Sequence, residues 1–519
     1  MREMKWTIPH AGLSRAIFLV LLLAGGALPL AGANRPNVLF ISADDMRYEM
    51  GGYGAPHVRT PHLDRLARDG AIFLQAHCQY PQCAPSRSSV FTGMRPDTTK
   101  VYDVFSHFRP TLPDVVTLPQ VFKGAGHVAS AFGKVYHTNL DDAASWSVPH
   151  REPALPPLHW VNPETAARLE KRRAEVAKVP GLTARQRAQA AYGPAWEAEE
   201  SPDSAHHDGQ VTDMSIEALR RHAERGERFF LAVGYRKPHL PFVAPKRYFD
   251  EYDPSALPLA RNPTIPPGAP AYGPVDGGEF RAYENMPPYP ARIPDDEARQ
   301  LRHAYYACVT FVDAQVGRLL DELDRLGLRD NTLVVFWSDH GYHLGENGHW
   351  GKWSPYEWDS RTPLIFRGPG VPAGVEVNRL VEFVDIYPTV TALAGLTDPA
   401  GLEGVSLKPL LHEPARPWKS AVFTQVLRLR PDGNLMAVSM RTEGFRLTRW
   451  TAEHDRNDVK FLELYDRRSD PNEIRNVADD PAYAKIKADL LGRLEAGWKA
   501  ALPKPAEPEI SNPKQPNPK

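Results

Sequence analysis

The chain is poor in cysteine: Cys78, Cys83 and Cys308 are the only three in 519 residues. So few thiols exclude a disulfide framework as the means of holding a fold of this size. Charge imbalance is also missing. With 62 Lys and Arg against 63 Asp and Glu, the formal net charge is -1, and nothing calls for nucleic acid as a partner. No Asn-x-Ser/Thr triplet has a permissible middle residue, whereas a large exported eukaryotic protein commonly carries several. The apolar run Ala16–Leu30 is too short and wrongly flanked for a membrane anchor. It follows Arg2, Lys5 and Arg15 and leads into Ala31-Gly32-Ala33, the layout of a cleavable secretory signal over residues 1–33. No cysteine stands at the cleavage position to mark a lipoprotein. These features predict a bacterial periplasmic or secreted protein, with no stable membrane anchor once the signal is removed.

Proline is plentiful, 51 residues, and gathers at 241–294 and after Leu502, which predicts long surface loops and a disordered tail over 503–519. Between these, strand and helix patterns alternate. The apolar run from Asn37 to Ser42 reads as a buried parallel strand delivering Asp44 and Asp45 at its C-terminal end, the edge where open α/β sheets bind ligands. Val128–Phe132 is a strand leading to Lys134 and His137, Phe229–Tyr235 one leading to Lys237 and His239, and Thr332–Trp337 one leading to Asp339 and His340. Helices are predicted after Thr60, over Thr117–Lys123, over Glu164–Val176 and over Asp295–Leu326, whose apolar stripe includes Cys308 as a buried residue. Glycine recurs in the run Gly345–Trp353, as in backbone folded closely around a ligand. Past Trp418 the pattern changes to short strands at 421–426, 436–440, 445–450 and 463–466, then a closing amphipathic helix over 482–501. The predicted organisation is a main α/β domain over 34–415 and a smaller α+β subdomain over 416–502.

The chemistry centres on Cys83-Ala84-Pro85-Ser86-Arg87, continuing to Thr92 and Gly93. Pro85 suits a first helical turn, where its missing amide hydrogen has no partner to lose, so Cys83 faces the positive end of a helix. Without the residues that follow it, Cys83 reads as a structural thiol or as half of a disulfide with Cys78. If the sheet is parallel, Asp44, Asp45, Lys134, His137, Lys237, His239, Asp339 and His340 all converge with it on one cleft. Paired aspartates at such an edge are costly unless a cation or a base sits between them.

The Cys-x-Pro-Ser-Arg run with Thr92-Gly93 downstream resembles the signature of type I sulfatases. The resemblance continues over most of the mature chain through Asp44-Asp45, Arg95–Thr99, Gly133–His137, Phe230–Phe242, Asp313–Gly317 and Ser338–Trp353. Within the family it is most like the iduronate-2-sulfatase type, which has His where many sulfatases have Asn at the position of His340. It implies an alkaline-phosphatase-like α/β fold, with a mostly parallel central sheet flanked by helices and a smaller C-terminal antiparallel sheet plus helix. It implies that Cys83 is converted to formylglycine by a formylglycine-generating or anaerobic sulfatase-maturing enzyme. Asp44, Asp45, Asp339 and His340 are implied to bind one calcium ion with the modified Cys83, although imidazole is an unusual calcium ligand and leaves the metal open. In the implied chemistry a hydroxyl of the aldehyde hydrate attacks sulfur, His239 protonates the departing sugar oxygen, and His137 accepts a proton as sulfate is expelled. Lys134, Lys352 and Arg87 stabilise sulfuryl charge or orient the hydrate. The implied substrate is a sulfated uronic-acid-containing saccharide, its carboxylate bound by Lys352, His239 or Tyr102. Asn347 and His349 depart from the iduronate-type segment, where a His and an acidic residue are familiar, so glycosaminoglycan and algal uronan both stay open. Competing readings are phosphodiester or phosphonate monoester hydrolysis in the same superfamily, and a catalytically silent carbohydrate-binding protein with an unmodified Cys83.

Overall fold

Every residue of Asn37–Asp44, NVLFISAD, is buried, as a sheet covered on both faces requires of its middle strands. In the computed structural model, which describes residues 35–156, 159–274 and 278–504, this strand pairs in parallel with Phe229–Pro238 on one side and Thr332–Ser338 on the other. The expected signal segment, and the expected tail from residue 505 onward, lie outside the described residues. The seven-stranded sheet runs in the order Val375–Glu382, Ala71–His77, Leu364–Arg367, Thr332–Ser338, Asn37–Asp44, Phe229–Pro238, Val128–Gly133. Leu364–Arg367 alone opposes its neighbours, and the remaining strands run one way, so the expected mostly parallel sheet is present.

Alternation along the central strand divides the core into two layers. Leu39, Ile41 and Ala43 face a cluster that includes the helices Pro61–Arg68, His207–Arg225 and Asp295–Arg325. Val38 and Phe40 face one that includes Cys83–Thr92, Leu118–Gly124 and Ile386–Leu393. The Asp313–Gly317 segment belongs to this packing. The Asp313 carboxylate accepts the amides of His62 at 3.2 Å and Leu63 at 2.7 Å, and so caps the first turn of a neighbouring helix. Cys308 is buried on the same long helix, as its place in the apolar stripe predicts.

The helix His207–Arg225 is not predicted by the sequence pattern, because much of its buried face is polar: His207, Asp208, Thr212, Ser215 and His222. The C-terminal sheet is antiparallel in the order Val422–Arg428, Leu435–Arg441, Phe445–Ala452, Asp455–Asp466, followed by the helix Ala484–Ala500. Its last strand begins well before the expected 463, since Asp455 and Val459 already pair with Ala452 and Thr451 across an irregular register while the side chains of 455–460 stay exposed. This sheet is tied to the central one. Lys419 Nζ bonds Glu382 at 2.8 Å and Asp385 at 2.7 Å, and the amide of Gln425 donates to the Gln79 carbonyl at 2.8 Å. Among the described residues no helix is long and apolar enough to cross a membrane.

At the edge that carries the chemistry, Gly133 lies opposite Gly234, and the amide of Lys134 donates to the Gly234 carbonyl at 2.8 Å. A Cβ on Gly234 would sit 2.0 Å from the Lys134 carbonyl oxygen, so only glycine allows the chain to turn there. Gly234→Ala is expected to cost about 1–3 kcal/mol of stability through overpacking, read as a lower denaturant midpoint at unchanged slope. An unchanged midpoint would contradict this close approach.

Candidate active site

Four adjacent parallel strands end on one side of the sheet and supply the groups that surround Cys83. Asn37–Asp44 brings Asp44 and Asp45, Thr332–Ser338 brings Asp339 and His340, Val128–Gly133 brings Lys134 and His137, and Phe229–Pro238 brings Lys237 and His239. Successive strand residues point to opposite faces, yet both aspartates reach the site, because Asp45 takes a left-handed φ of 64°. That turn is held by Tyr305, whose hydroxyl donates to the Asp45 carbonyl at 2.7 Å. Cys83 is the first residue of the wholly buried helix Cys83–Thr92 and is 2 % exposed. It therefore meets the site at the positive end of the helix.

The distances are those of one cluster. Cys83 Sγ lies 3.4 Å from Asp44 Oδ1, 3.4 Å from His340 Nε2, 3.5 Å from Lys134 Nζ and 3.7 Å from Lys352 Nζ. Lys134 pairs with Asp44, and Lys352 donates to Asp45 at 2.7 Å and 3.0 Å. Arg87 is fully buried and ties the strand ends together. Its Nε donates to Asp339 Oδ2 at 2.8 Å, its Nη2 to the Ala43 carbonyl at 3.1 Å, and its Nη1 to the Val135 carbonyl at 2.9 Å and to that of Lys134. Asp339 Oδ1 accepts the amides of Asp45 at 3.2 Å and His340 at 3.0 Å, so both its oxygens are engaged.

Burial would raise Asp44, but Lys134, His239 and Arg87 hold its carboxyl well below the ordinary range. Asp45 is pushed up to about 6 by burial against the pull of Lys352. Burial would lower His340, but Asp339, Cys83 and Asp45 push it up to about 10. A divalent cation bound here would have to displace the proton that the buried His340 ring holds. The donor set fits such an ion: Asp44, Asp45, Cys83 and His340 offer ligand atoms within 4.8 Å of one another. Asp339 stands outside that group of four, with Oδ1 3.6 Å from His340 Nε2.

Above the cluster opens a cleft of about 470 Å³, lined by Cys83, Lys134, His137, His239 and Lys352, with Tyr102, Trp350 and Trp353 around them. Glu279 and Phe105 are among the residues of its wall that the sequence pattern does not predict. Glu279, from the Pro-rich loop, lies 3.5 Å from His239 Nε2 and 4.0 Å from Lys352 Nζ, and Phe105 stands on the rim 71 % exposed. Their only signal in the sequence is membership of segments without periodicity. Tyr102 lines the cleft, but its hydroxyl already donates to Asp97 at 2.8 Å. Lys237 also lines it, with its amine bonded to the carbonyls of His239 at 2.9 Å and Pro241 at 2.6 Å. Cys78 does not pair with Cys83; all three thiols are free, and Cys78 Sγ rests 3.8 Å from the Asp359 carbonyl.

A mostly parallel sheet with a cysteine at a helix N-terminus, a cation-fitting carboxylate cluster and two lysines over a cleft makes this an α/β protein of alkaline-phosphatase-like architecture with an enzyme-like site. The profile of the family described as Sulfatase matches residues 36–396, and that described as N-sulphoglucosamine sulphohydrolase, C-terminal, matches residues 345–499. The chain is 32% identical to iduronate 2-sulfatase of Homo sapiens, over 86% of this chain and 91% of that protein. It is 31% identical to a sulfatase of Formosa agariphila, over 90% of this chain and 88% of that protein. Among solved structures it is similar to the phosphonate monoester hydrolase SpPMH from Silicibacter pomeroyi, with TM-score 0.70 and 26% identity over 90% of this chain and 96% of that one. The chain belongs to the sulfatase family.

Three buried imidazoles have a consequence for stability. His137, His206 and His349 are each lowered from 6.5 to about 3, in every case first by burial and then by Lys134, Lys237 and His343 respectively. They stay neutral in the folded chain while the unfolded chain binds protons below 6.5, so stability is lost as pH falls from 6.5 toward 3. The denaturant midpoint is expected to be lower at about pH 5 than at about pH 7, with a shallower pH dependence in His206→Phe. An identical pH dependence in that variant would contradict a neutral buried ring.

Proposed function

We propose that this sulfuric ester hydrolase removes sulfate from a sulfated uronic-acid-containing saccharide. The single observation that carries the reading is the arrangement at Cys83, whose Sγ has a carboxylate, an imidazole and two ammonium groups within 3.7 Å at the floor of the cleft. In this reading residue 83 is matured to formylglycine, whose hydrate would supply a hydroxyl nucleophile; Asp44, Asp45, Asp339 and His340 with that residue would hold a calcium ion, which would supply positive charge at the sulfate. The maturing enzyme acts on the segment before it folds, since the whole Cys83–Thr92 helix is buried. Export through the signal segment then places the chain in the periplasm or outside the cell.

The chain's own residues have the following parts. Lys134 and Lys352, both beside Cys83, face the negative charge that develops on the transferring sulfuryl oxygens. Arg87 fixes Asp339 and the strand-end carbonyls, so these charges need no rearrangement during the reaction. His239 donates Nδ1–H to the Leu240 carbonyl at 2.7 Å, which leaves Nε2 as the atom to carry the proton given to the departing sugar oxygen; burial and Lys352 lower this ring's pKa, and Asp45 and Glu279, the latter 3.5 Å away, act against that. His137 is kept neutral by burial and Lys134, and its buried Nδ1 has no partner, so the ring is available as a proton acceptor. Likeness to human iduronate 2-sulfatase and a cleft bearing Lys352 and His239 support a substrate with a carboxylate. Asn347 and His349 do not line the cleft, so their departures from the iduronate-type segment do not touch substrate directly.

The similarity to a phosphonate monoester hydrolase favours one second reading, phosphonate ester hydrolysis in the same cleft. Turnover of 2-, 4- and 6-sulfated uronate disaccharides beside an aryl sulfate and an aryl phosphonate, with peptide mass spectrometry at Cys83, separates the two. The expected result is an aldehyde mass at residue 83, preference for the 2-sulfated disaccharide, and kcat lowered about 10²–10³-fold in Lys134→Ala and Lys352→Ala. Faster turnover of the phosphonate would favour the second reading. An unmodified thiol in active protein would remove the proposed nucleophile.

A further inference from the structure

Asn347 and His349 are both fully buried, and the His349 ring reaches the backbone of Lys352. Its Nε2–H donates to the Lys352 carbonyl across 3.2 Å. A carbonyl only accepts, so this bond fixes the tautomer and leaves Nδ1 as a lone pair, buried without a partner. The neutral ring this requires agrees with burial and His343 holding it near 3.

Asp359 completes the arrangement. One oxygen accepts from His343 Nδ1 at 2.6 Å; the other accepts the Ser354 amide at 2.9 Å and its hydroxyl at 2.6 Å, and lies 3.8 Å from His349 Nε2. His343 is in turn the cross-strand partner of Gly351 in a two-residue ribbon. The turn over 349–354 is thus pinned at His349, Gly351 and Ser354. Between the pins the backbone takes φ values of 145° at Gly351 and 78° at Trp353, and the second is a strained conformation for tryptophan. This turn brings Lys352 Nζ to 2.7 Å from Asp45 Oδ1 and 3.7 Å from Cys83 Sγ.

We propose that His349 is a positioning residue for Lys352, holding, with Asp359 and His343, the strained turn that keeps the ammonium group at the reacting centre. The role given to Lys352 rests on the sulfatase mechanism above; the placement of its amine does not. His343, His349 and Asp359 also offer three ligand atoms within 4.8 Å of one another, and the ring nitrogens not bonded to Asp359 or the Lys352 carbonyl are unpartnered, so the test includes metal analysis of this group. The same substitution that sets His349 apart from the iduronate-type segment thus gives it work at one remove from substrate.

The test compares His349→Leu and His349→Gln, each alone and combined with Lys352→Ala, by kcat, KM and thermal melting on a sulfate ester. It adds a crystal structure of His349→Leu and metal analysis of the wild type and His343→Ala. Loss of the donor is expected to lower kcat about 10²-fold, as displacing a positioned group by about 1 Å does, with KM little changed. Gln, which keeps an N–H donor, recovers most of the loss, and His349→Leu adds nothing in the Lys352→Ala background. In the crystal structure Lys352 Nζ is withdrawn from Asp45. The proposal is overturned by independent, multiplying losses in the double variant, by equal losses in Leu and Gln that follow melting temperature alone, or by a second metal ion lost in His343→Ala. An unmoved Lys352 in the His349→Leu crystal overturns it whatever the activity. An inactive wild type, by contrast, defeats the sulfatase mechanism, and the position of Lys352 in that crystal still decides whether His349 places the amine.

Discussion

The neutralisation of buried charge at one sheet edge is the constraint on which the rest of this structure depends. Asp44, Asp45 and Asp339 are essentially without solvent access, and removing that many carboxylates from water costs several kcal/mol each unless partners meet them. Arg87 meets Asp339, Lys134 meets Asp44, and Lys352 meets Asp45. Each cation arrives from a different part of the chain, so the cluster forms only when the strands are in register. The four donors Asp44, Asp45, Cys83 and His340, with ligand atoms within 4.8 Å of one another, are what give the pocket its fit to a divalent cation.

Arg87 has the widest reach of these groups. Its guanidinium bonds the end of the Thr332–Ser338 strand through Asp339, that of Asn37–Asp44 through the Ala43 carbonyl, and the turn after Val128–Gly133 through the Lys134 and Val135 carbonyls. The planar fork satisfies several acceptors at once, which a lysine ammonium on a flexible stem does not reproduce. The residue four places after Cys83 thus does for the strand ends what a metal ion does for the carboxylates. The Gly133–Gly234 contact lets Lys134 turn back into the same network. Sequence motif, backbone turn and electrostatics are in this way one device.

What was legible in the sequence was the chemistry placed at the ends of apolar runs. Asn37–Asp44, Phe229–Pro238 and Thr332–Ser338 are buried strands, and a polar residue that terminates such a run has to lie at the sheet edge, so Asp44, His239 and Asp339 could be read off directly. Glu279 could not, because it sits in a Pro-rich loop whose path is set by tertiary contacts rather than by any period. The His207–Arg225 helix was hidden for a different reason: polar residues bonded to one another carry much of its buried face, and Asp208 receives the amides of Arg236 at 3.0 Å and Lys237 at 2.8 Å. The His343–His349–Asp359 group was invisible too, since it comes together only through the folded turn that separates its members.

Two strand ends, bearing Asp44, Asp45 and His340, and one helix end, bearing Cys83, offer a donor set that fits one shared cation. Calorimetric titration of chelator-treated wild-type protein with calcium tests this most directly. A single site per chain is expected, with a proton released on binding because His340 holds one in its absence. Absence of binding, or binding without proton release, would contradict a shared cation at this edge.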